Sequence, residues 1–255
     1  MTLMPTRVEI EREGQKYHFD SPDVDYAERM LAKFRDPRFE SISHSTGVRV
    51  FVDVGAHLGE TVFPLALLWP NTTFYCIEPF PESFRYLVEN TRQFRAVHCF
   101  NLAVSDKTEE VALALPTKEQ RDVQYDGPHA TGLYSVFGKG EGQFVADSLR
   151  LDDIIPADVQ VDFLKVDVEG YELEVLQGAP RILGHDKPLL AVECHMQGMA
   201  SRTIRAIPEW LRKQGYFAFG QFGADVLFGH RTYLSRRKDA IPTQEAVLGR
   251  QAQTA

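Results

Sequence analysis

The sequence predicts an α/β fold, a mostly parallel seven-stranded sheet with helices on both faces and an antiparallel hairpin at its C-terminal end. Three observations carry this. From Val48 onward, short apolar runs (VRVFVDV, TFYCI, AVHCFNLAV, VDFLKVD, LLAVEC) alternate with segments of helical spacing, the signature of a parallel sheet connected by helices. The last two runs, YFAFGQF and VLFGHRTYL, flank Gly223, Ala224 and Asp225 in a hairpin arrangement, unlike the plain dinucleotide-binding order in which all strands run parallel. The 255 residues are 44% hydrophobic and 25% charged, which fits an ordinary globular protein with one large domain.

Taken in order, residues 8–19 alternate around Glu13-Gly14 as a short hairpin, and residues 25–34 have helical spacing through Tyr26, Met30, Leu31 and Phe34. Residues 1–47 thus form an N-terminal extension, with two readings: a cap over the active-site crevice or a dimer contact. The main domain is expected over 48–235. Its helices are predicted at 60–68, at 81–94 with Phe84, Leu87, Val88 and Thr91 inward, at 171–183 with Leu173, Val175, Leu176 and Ile182 inward, and at 203–214. Residues 107–151 interrupt the rhythm with glycines at 127, 132, 138, 140 and 142; such an insertion in a compact domain is usually functional, and it is expected to cover the crevice. The polar end, 236–255, reads as a mobile tail.

Charge narrows the class of partner. With 28 basic and 36 acidic residues the formal charge is −8, a field that repels polyanions, so no nucleic-acid partner is expected. The longest apolar stretch, 62–69, falls far short of the roughly 20 residues a membrane span needs. The N-terminus lacks the apolar centre of a secretory signal, and the expected location is cytoplasmic. Cys76, Cys99 and Cys194 form no CxxC pair and lie in apolar runs; they read as buried free thiols.

The first strand of the main domain ends in FVDVGAHLGET, where Gly55 and Gly59 bracket a turn into a helix. Glycine lets a backbone approach a ligand closely, and a helix N-terminus offers N–H groups. The order Gly55, Ala56, His57, Leu58, Gly59 departs from GxGxxG, so the phosphate-cradling pattern is absent. The second strand leads to Glu78, about 20 residues further on, where a carboxylate can accept hydrogen bonds from both ribose hydroxyls and repels a ribose phosphate. Each motif alone also fits a structural turn or a helix-start carboxylate. Their order on successive strands favours a nucleotide ligand. The third strand runs into NLAVSD, making Asn101, Ala103 and Ser105 candidate neighbours of the base, while Asp106 is a base neighbour or a turn residue.

The fourth strand delivers LKVDVEGYELEVLQGA. By alternation Lys165, Asp167 and, if the extended conformation lasts, Glu169 share a face, and Gly170 then lets the chain turn. Such carboxylates suit an ion pair, a metal or acid/base work; alternatively Glu169 caps the following helix. In LLAVECHMQG the same alternation sets Glu193 and His195 together. If the fourth and fifth strands are neighbours, Asp167, Glu169, Glu193 and His195 converge.

In DVGAHLGET, IEPFPESFRYLVEN, NLAVSD, the LDD of residues 151–153, FLKVDVEGYELEVLQGA and the strand carrying Glu193 and His195, taken in this order, the chain resembles the FkbM-type S-adenosylmethionine-dependent methyltransferases over residues 51–195. KVDVEGYE is the most specific piece. The resemblance implies a Rossmann-like class I methyltransferase fold. It implies S-adenosylmethionine bound along Asp53, Gly55, Gly59, Glu78 and the NLAVSD turn, with Asp167 near the methionine part. His57 stands where many members carry asparagine, leaving its contacts to that part open. The implied activity is methylation of oxygen on a sugar, glycan or natural-product hydroxyl; for that reaction His195, a structural histidine if it stands alone, is better placed among its acidic partners as general base, oriented by Glu193 or Glu169. Tyr134 and Ser135, in TGLYSVFG, are the expected substrate contacts, although Tyr134 also suits plain packing. No metal is favoured; a divalent ion on Asp167, Glu193 and His195 is the lesser reading. An NAD-dependent reductase is disfavoured by the missing GxGxxG and by the absence of a tyrosine followed four residues later by lysine. A catalytically inactive, cofactor-binding partner subunit is disfavoured by the intact set Asp53, Glu78, Asp167 and His195. A homo-oligomer is compatible with the sequence.

Overall fold

A computed structural model describes residues 6–22, 24, 27, 28, 30, 31, 47–115, 141–194, 201–222 and 225–232. Strands β1 (Thr6–Arg12) and β2 (Gln15–Ser21) pair as the predicted N-terminal hairpin. Its turn residues Glu13 and Gly14 both have positive φ, 53° and 75°, the conformation that matches the twist of two-residue hairpins. Among the residues after it, 24, 27, 28, 30 and 31 are helical.

The central sheet is built from β3 (Val50–Val54), β4 (Thr73–Ile77), β5 (Val97–Phe100), β9 (Phe163–Val166), β10 (Leu189–Glu193), β11 (Tyr216–Phe222) and β12 (Asp225–His230). Its order is β11-β12-β10-β9-β3-β4-β5, parallel from β10 to β5, with β12 antiparallel to β10 and to β11. This is the seven-stranded arrangement of the Rossmann-like class I methyltransferase fold that the sequence predicts. The apolar residues alternate between two faces, and each face has its own core. On one, Val52, Val54, Ile77, Leu164, Val166, Leu190 and Val192 meet Val175 and Leu176 of α4 (Glu172–Gln177) and Ile207 and Leu211 of α5 (Ser201–Lys213). On the other, Phe51, Phe74 and Cys76 meet Val62, Leu65 and Ala66 of α1 (Val62–Leu68) and Leu87 of α2 (Pro81–Thr91). Burial on both sides explains why the central strands read as nearly continuous apolar runs.

From β3 the chain winds outward through β4 and β5, then crosses back to β9 on the other side of β3. Strand order therefore reverses between β3 and β9, and the carboxyl ends of these two strands form the position where open α/β sheets bind ligands. The two chains pass so closely there that a Cβ on Gly55 would overlap the Asp167 carbonyl oxygen, and Gly55 also has φ +84°.

Several features differ from the sequence reading, among them Val88, expected inward but exposed on α2, whose buried face runs through Ser83, Tyr86, Leu87, Asn90 and Thr91. The run AVHCFNLAV is not one strand: β5 stops at Phe100, and β6 (Ala103–Val104) joins a separate sheet of order β6-β8-β7. In that sheet β7 (Glu109–Leu115) and β8 (Glu141–Leu149) pair antiparallel, so the arms of the segment expected to be an irregular insertion are regular strands. Val111, Leu113 and Ala146 bury one of its faces around Ala103. Its glycine-bearing centre, 116–140, and with it the expected cover over the crevice, lies outside the described residues. The single turn α3 (Leu151–Ile154) follows β8. The helix expected over 171–183 is α4 alone, ending at Gly178, where a Cβ would overlap the Ser105 carbonyl oxygen. A π-helical turn, Ile182–Asp186, follows Pro180, which cannot donate a helical hydrogen bond. Finally, Cys76 and Cys194 are buried free thiols as expected, but Cys99 is only partly buried because β5 is an edge strand.

The Gly55 contact predicts a large substitution effect. Gly55→Ala combines a left-handed φ with a backbone overlap and is expected to lower unfolding free energy by about 3 kcal/mol or more. Gly14→Ala meets no atom within 4 Å at φ +75° and is expected to cost about 1 kcal/mol. Denaturant unfolding of the two variants checks the ranking.

Candidate functional site at the sheet switch point

Asp53 and Lys165 are register partners on β3 and β9, so their side chains leave the same face of the sheet. Lys165 Nζ lies 3.8 Å from Asp53 Oδ1 and 2.8 Å from Asp167 Oδ2. Burial works against the Lys165 ammonium, but the carboxylates of Asp167, Asp53 and Asp225 outweigh it and hold its pKa well above the ordinary lysine value.

Around this ion pair the strands deliver further carboxylates. Asp167, Glu169 and Glu193 each present an oxygen within 4.8 Å of the others. Three of the four residues predicted to converge therefore do so, because β9 and β10 are parallel neighbours. His195 lies outside the described residues. The route by which Glu169 arrives differs from simple alternation. The extended conformation ends at Val166, and Glu169 has φ 55°, followed by Gly170 at φ 109°, so a left-handed turn folds Glu169 back beside Asp167. The N-cap position of α4 falls on Tyr171 rather than on Glu169, and Tyr171 makes no side-chain cap bond. Instead Glu172 Oε1 accepts the Gly170 N–H at 2.8 Å and the Val168 N–H at 3.4 Å, which fixes the turn. Burial pushes the Glu172 pKa up to about 6, against these amide bonds.

On the other side of the switch point, the turn from Gly55 to Gly59 has its own protein acceptors. The N–H groups of Gly55 and Ala56 donate to Ile77 O, that of His57 to Glu78 Oε2, that of Leu58 to Glu60 Oε2 and that of Gly59 to Ala56 O. Hence these amides are directed at the protein rather than at a phosphate, in keeping with the departure from GxGxxG. His57 adopts φ 49°, a left-handed conformation in which histidine and asparagine are both enriched, and its Nδ1 lies 3.0 Å from Glu60 Oε1.

Glu78 is buried at the end of β4, accepting the His57 N–H and the Phe80 N–H at 2.9 Å each. Burial raises its pKa, and the His57 ring and the two amides oppose that rise. Asn101 Nδ2 donates to the carbonyls of Glu78 and Pro79, bracing the turn from the end of β5. The other two predicted base neighbours differ in setting from Asn101, which is exposed. Ala103 is buried in the small sheet, and Ser105 is wholly buried, its N–H donating to Leu149 O and its Oγ to Asp106 Oδ1. Tyr134 and Ser135 lie outside the described residues.

The sequence reading did not single out Glu172, Glu60 or Asp225, nor the charge role of Lys165. Glu172 follows a glycine turn by two residues at the start of an apolar helix, a local signal for a carboxylate that takes up turn amides. Asp225 carries no such signal; it reaches the site as the antiparallel register partner of Glu193.

With this geometry in view, the family can be assigned. A sequence profile described as the methyltransferase FkbM domain matches residues 53–218, well over half of the chain. The chain belongs to the FkbM methyltransferase family. Solved structures with a similar course include a methyltransferase FkbM from Methylobacillus flagellatus KT, with 19% identity, TM-score 0.48, 71% of this chain and 43% of that one. Others are M. jannaschii TYW2 in complex with AdoMet, with 16% identity, TM-score 0.45, 89% of this chain and 88% of that one, and precorrin-6y C5,15-methyltransferase from Geobacter metallireducens GS-15, with 14% identity, TM-score 0.40, 80% and 85%. The chain thus spans less than half the length of the M. flagellatus FkbM chain. No curated protein matches it significantly in sequence. Among the described residues of this FkbM-family chain, no helix is long and apolar enough to cross a membrane.

The raised Glu172 pKa fixes the sign of a pH effect. The folded state binds this proton more tightly than the unfolded chain does, so the Glu172 contribution is fully present below pH 4.5 and is lost as pH rises through about 6. The difference in unfolding free energy between the parent and Glu172→Gln is expected to fall by about 2 kcal/mol across this window and then stay flat. Urea unfolding of both proteins from pH 4 to 8 measures it; a flat difference throughout removes the assignment.

Proposed function

We propose that this chain transfers a methyl group from S-adenosylmethionine to a hydroxyl oxygen of a sugar, glycan or other natural product. The observation that carries this reading is the meeting of Asp167, Glu169 and Glu193 at the carboxyl ends of β9 and β10, with β9 paired to β3, whose end leads into the Gly55 turn. When bound, S-adenosylmethionine supplies a methyl group on a positively charged sulfur, next to an amino-acid ammonium. A cluster of carboxylates favours such cationic groups, and the buried Glu78 carboxylate, held by two backbone amides, is placed to accept from ribose hydroxyls. Asp53 lies beneath the turn, where it fixes Lys165 and so the position of Asp167. Asn101, exposed just past the end of β5, is proposed to face the base. His57 closes the turn through its N–H bond to Glu78, and Gly59 lets the turn enter α1 at φ +88°. Ala103 and Ser105 are buried, and their proposed place is beside the base, close to Asn101 in sequence.

His195, two residues beyond Glu193, is the proposed general base. It would take the hydroxyl proton as the acceptor oxygen bonds to the methyl carbon and the methyl–sulfur bond breaks, its electron pair staying on the sulfur of the departing S-adenosylhomocysteine, and Glu193 or Glu169 would orient its ring and balance the charge it gains. Tyr134 and Ser135 are the proposed acceptor contacts. Methyl transfer of this kind needs reactants held in line more than it needs covalent help from the protein. The carboxylates are assigned to the cationic donor and to His195 rather than to a metal ion.

Two measurements test this reading. Calorimetric titration is expected to show micromolar binding of S-adenosylmethionine and S-adenosylhomocysteine but not of NAD, with Glu78→Ala weakening it about tenfold or more. Folded protein that ignores both sulfur nucleotides overturns the reading. Separately, once an acceptor is in hand, His195→Ala is expected to lower turnover about 100-fold or more with cofactor affinity unchanged; full turnover of this variant removes His195 from its role.

A further inference from the structure

The N-terminal hairpin packs against α1 and α2, where Ile10, Phe19 and Met30 share a buried cluster with Leu58, Phe63, Leu67 and Tyr86. Leu58 belongs to the glycine turn itself. Among the described residues, two side-chain amides, those of Asn90 and Gln93, make polar links across this interface, and only that of Asn90 also reaches the glycine turn. Asn90, on α2, is wholly buried; its Oδ1 accepts the Asp20 N–H at 2.7 Å, and its Nδ2 donates to Asp20 O at 3.0 Å and to Leu58 O at 2.8 Å. One acceptor faces an N–H and one NH2 group faces two carbonyls, so both halves of the amide are used.

Gln93 makes a parallel grip on the same strand, accepting the His18 N–H and donating to His18 O and Asn90 O. Gln93 does not touch the turn. On the outer side of the hairpin, Arg7 forks onto both oxygens of Asp20, at 2.7 Å each. Asn90 is thus the point where a helix, the hairpin and the Gly55–Gly59 turn are joined through backbone groups. The turn's N–H groups look toward Ile77, Glu78, Glu60 and Ala56, and Asn90 takes up a carbonyl from its opposite side.

We propose that Asn90 is a positioning residue for the cofactor turn, and that through it the N-terminal hairpin is part of the cofactor-binding machinery. The inference rests on the proposed S-adenosylmethionine reading for its consequence, but not for its geometry. A buried amide that loses its side chain leaves Asp20 N–H and Leu58 O without their partner, so the turn drifts even while the sheet stays folded. His57 N–H, which Leu58 follows directly, then no longer meets Glu78 at a fixed place.

The test compares the parent with Asn90→Ala, Asn90→Asp and Arg7→Ala. Asn90→Asp keeps the acceptor for Asp20 N–H and loses both donated bonds, so it reports on Leu58 if the alanine variant does not fold; Arg7→Ala loosens the hairpin from outside and leaves Asn90 intact. In the ligand-free proteins, hydrogen exchange at the amides of residues 56–59 is expected to accelerate in the Asn90 variants and not in Arg7→Ala. Calorimetry is expected to show S-adenosylhomocysteine binding weakened about fivefold or more by the Asn90 variants, with Arg7→Ala near the parent value. Unchanged exchange in the Asn90 variants overturns the proposal, as does weakening by Arg7→Ala equal to theirs at equal loss of thermal stability. A parent that binds no S-adenosylhomocysteine overturns the donor reading instead, and the exchange result still decides whether Asn90 holds the turn.

Discussion

The ammonium of Lys165 is the interaction on which the arrangement of this chain depends. It sits between Asp53 and Asp167 on the two strands where sheet order reverses, in a place almost without solvent. Without that charge, Asp53, Asp167, Glu169, Glu193 and Asp225 would face one another at the carboxyl end of the sheet, and mutual repulsion would drive protons onto some of them. A buried pair of this kind is a poor source of net stability, since desolvation offsets most of the attraction. Its value lies in geometry. It holds Asp167 against the turn of Gly55, and it leaves the outer carboxylates as a surplus of negative charge on the open side.

Backbone packing reinforces the same point. Gly55 is read from sequence as a residue that lets a ligand come close, yet the atom that comes closest is the Asp167 carbonyl oxygen of the neighbouring strand. The Asp167 N–H in turn donates to Val54 O. The glycine is therefore required first by the joint between β3 and β9, and any ligand contact is built on that joint. Gly178 serves in the same way beneath Ser105, where it brings α4 against the start of the small sheet. At both places a carbonyl of another element occupies the space that a side chain would need.

How far the site was legible follows from which signals are local. Alternation within strands located Lys165, Asp167 and Glu193, since a two-residue period survives whatever the rest of the chain does, whereas Asp53 was named by the family resemblance. Alternation also brought Glu169 to the right place by a wrong route: a left-handed turn, fixed by Glu172, does what continued extension was expected to do. The break in AVHCFNLAV has one weak local signal, Asn101, a residue type depleted in strands, inside an otherwise strand-forming run. Asn101 ends it by donating to the carbonyls of residues 78 and 79, a contact that exists only once β4 and β5 are paired. Asp225 was missed for the same reason, being set beside Glu193 by antiparallel register alone.

The distribution of hydrogen-bonding groups then limits what kind of molecule the switch point suits. A dinucleotide fold spends the amides of its first turn on a pyrophosphate, whereas here the amides of residues 55–59 are spent on Ile77, Glu78, Glu60 and Ala56. Among the described residues, an anion would find few donors at this turn and a crowd of carboxylates beside it. What the surroundings provide are acceptors: one buried carboxylate at Glu78 on the β4 side, and Asp167, Glu169 and Glu193 on the β9 and β10 side. A ligand that matches them carries hydroxyl donors at one end and positive charge at the other, with no phosphate between. That polarity distinguishes the proposed sulfonium nucleoside from a nicotinamide dinucleotide on physical grounds, independent of family membership.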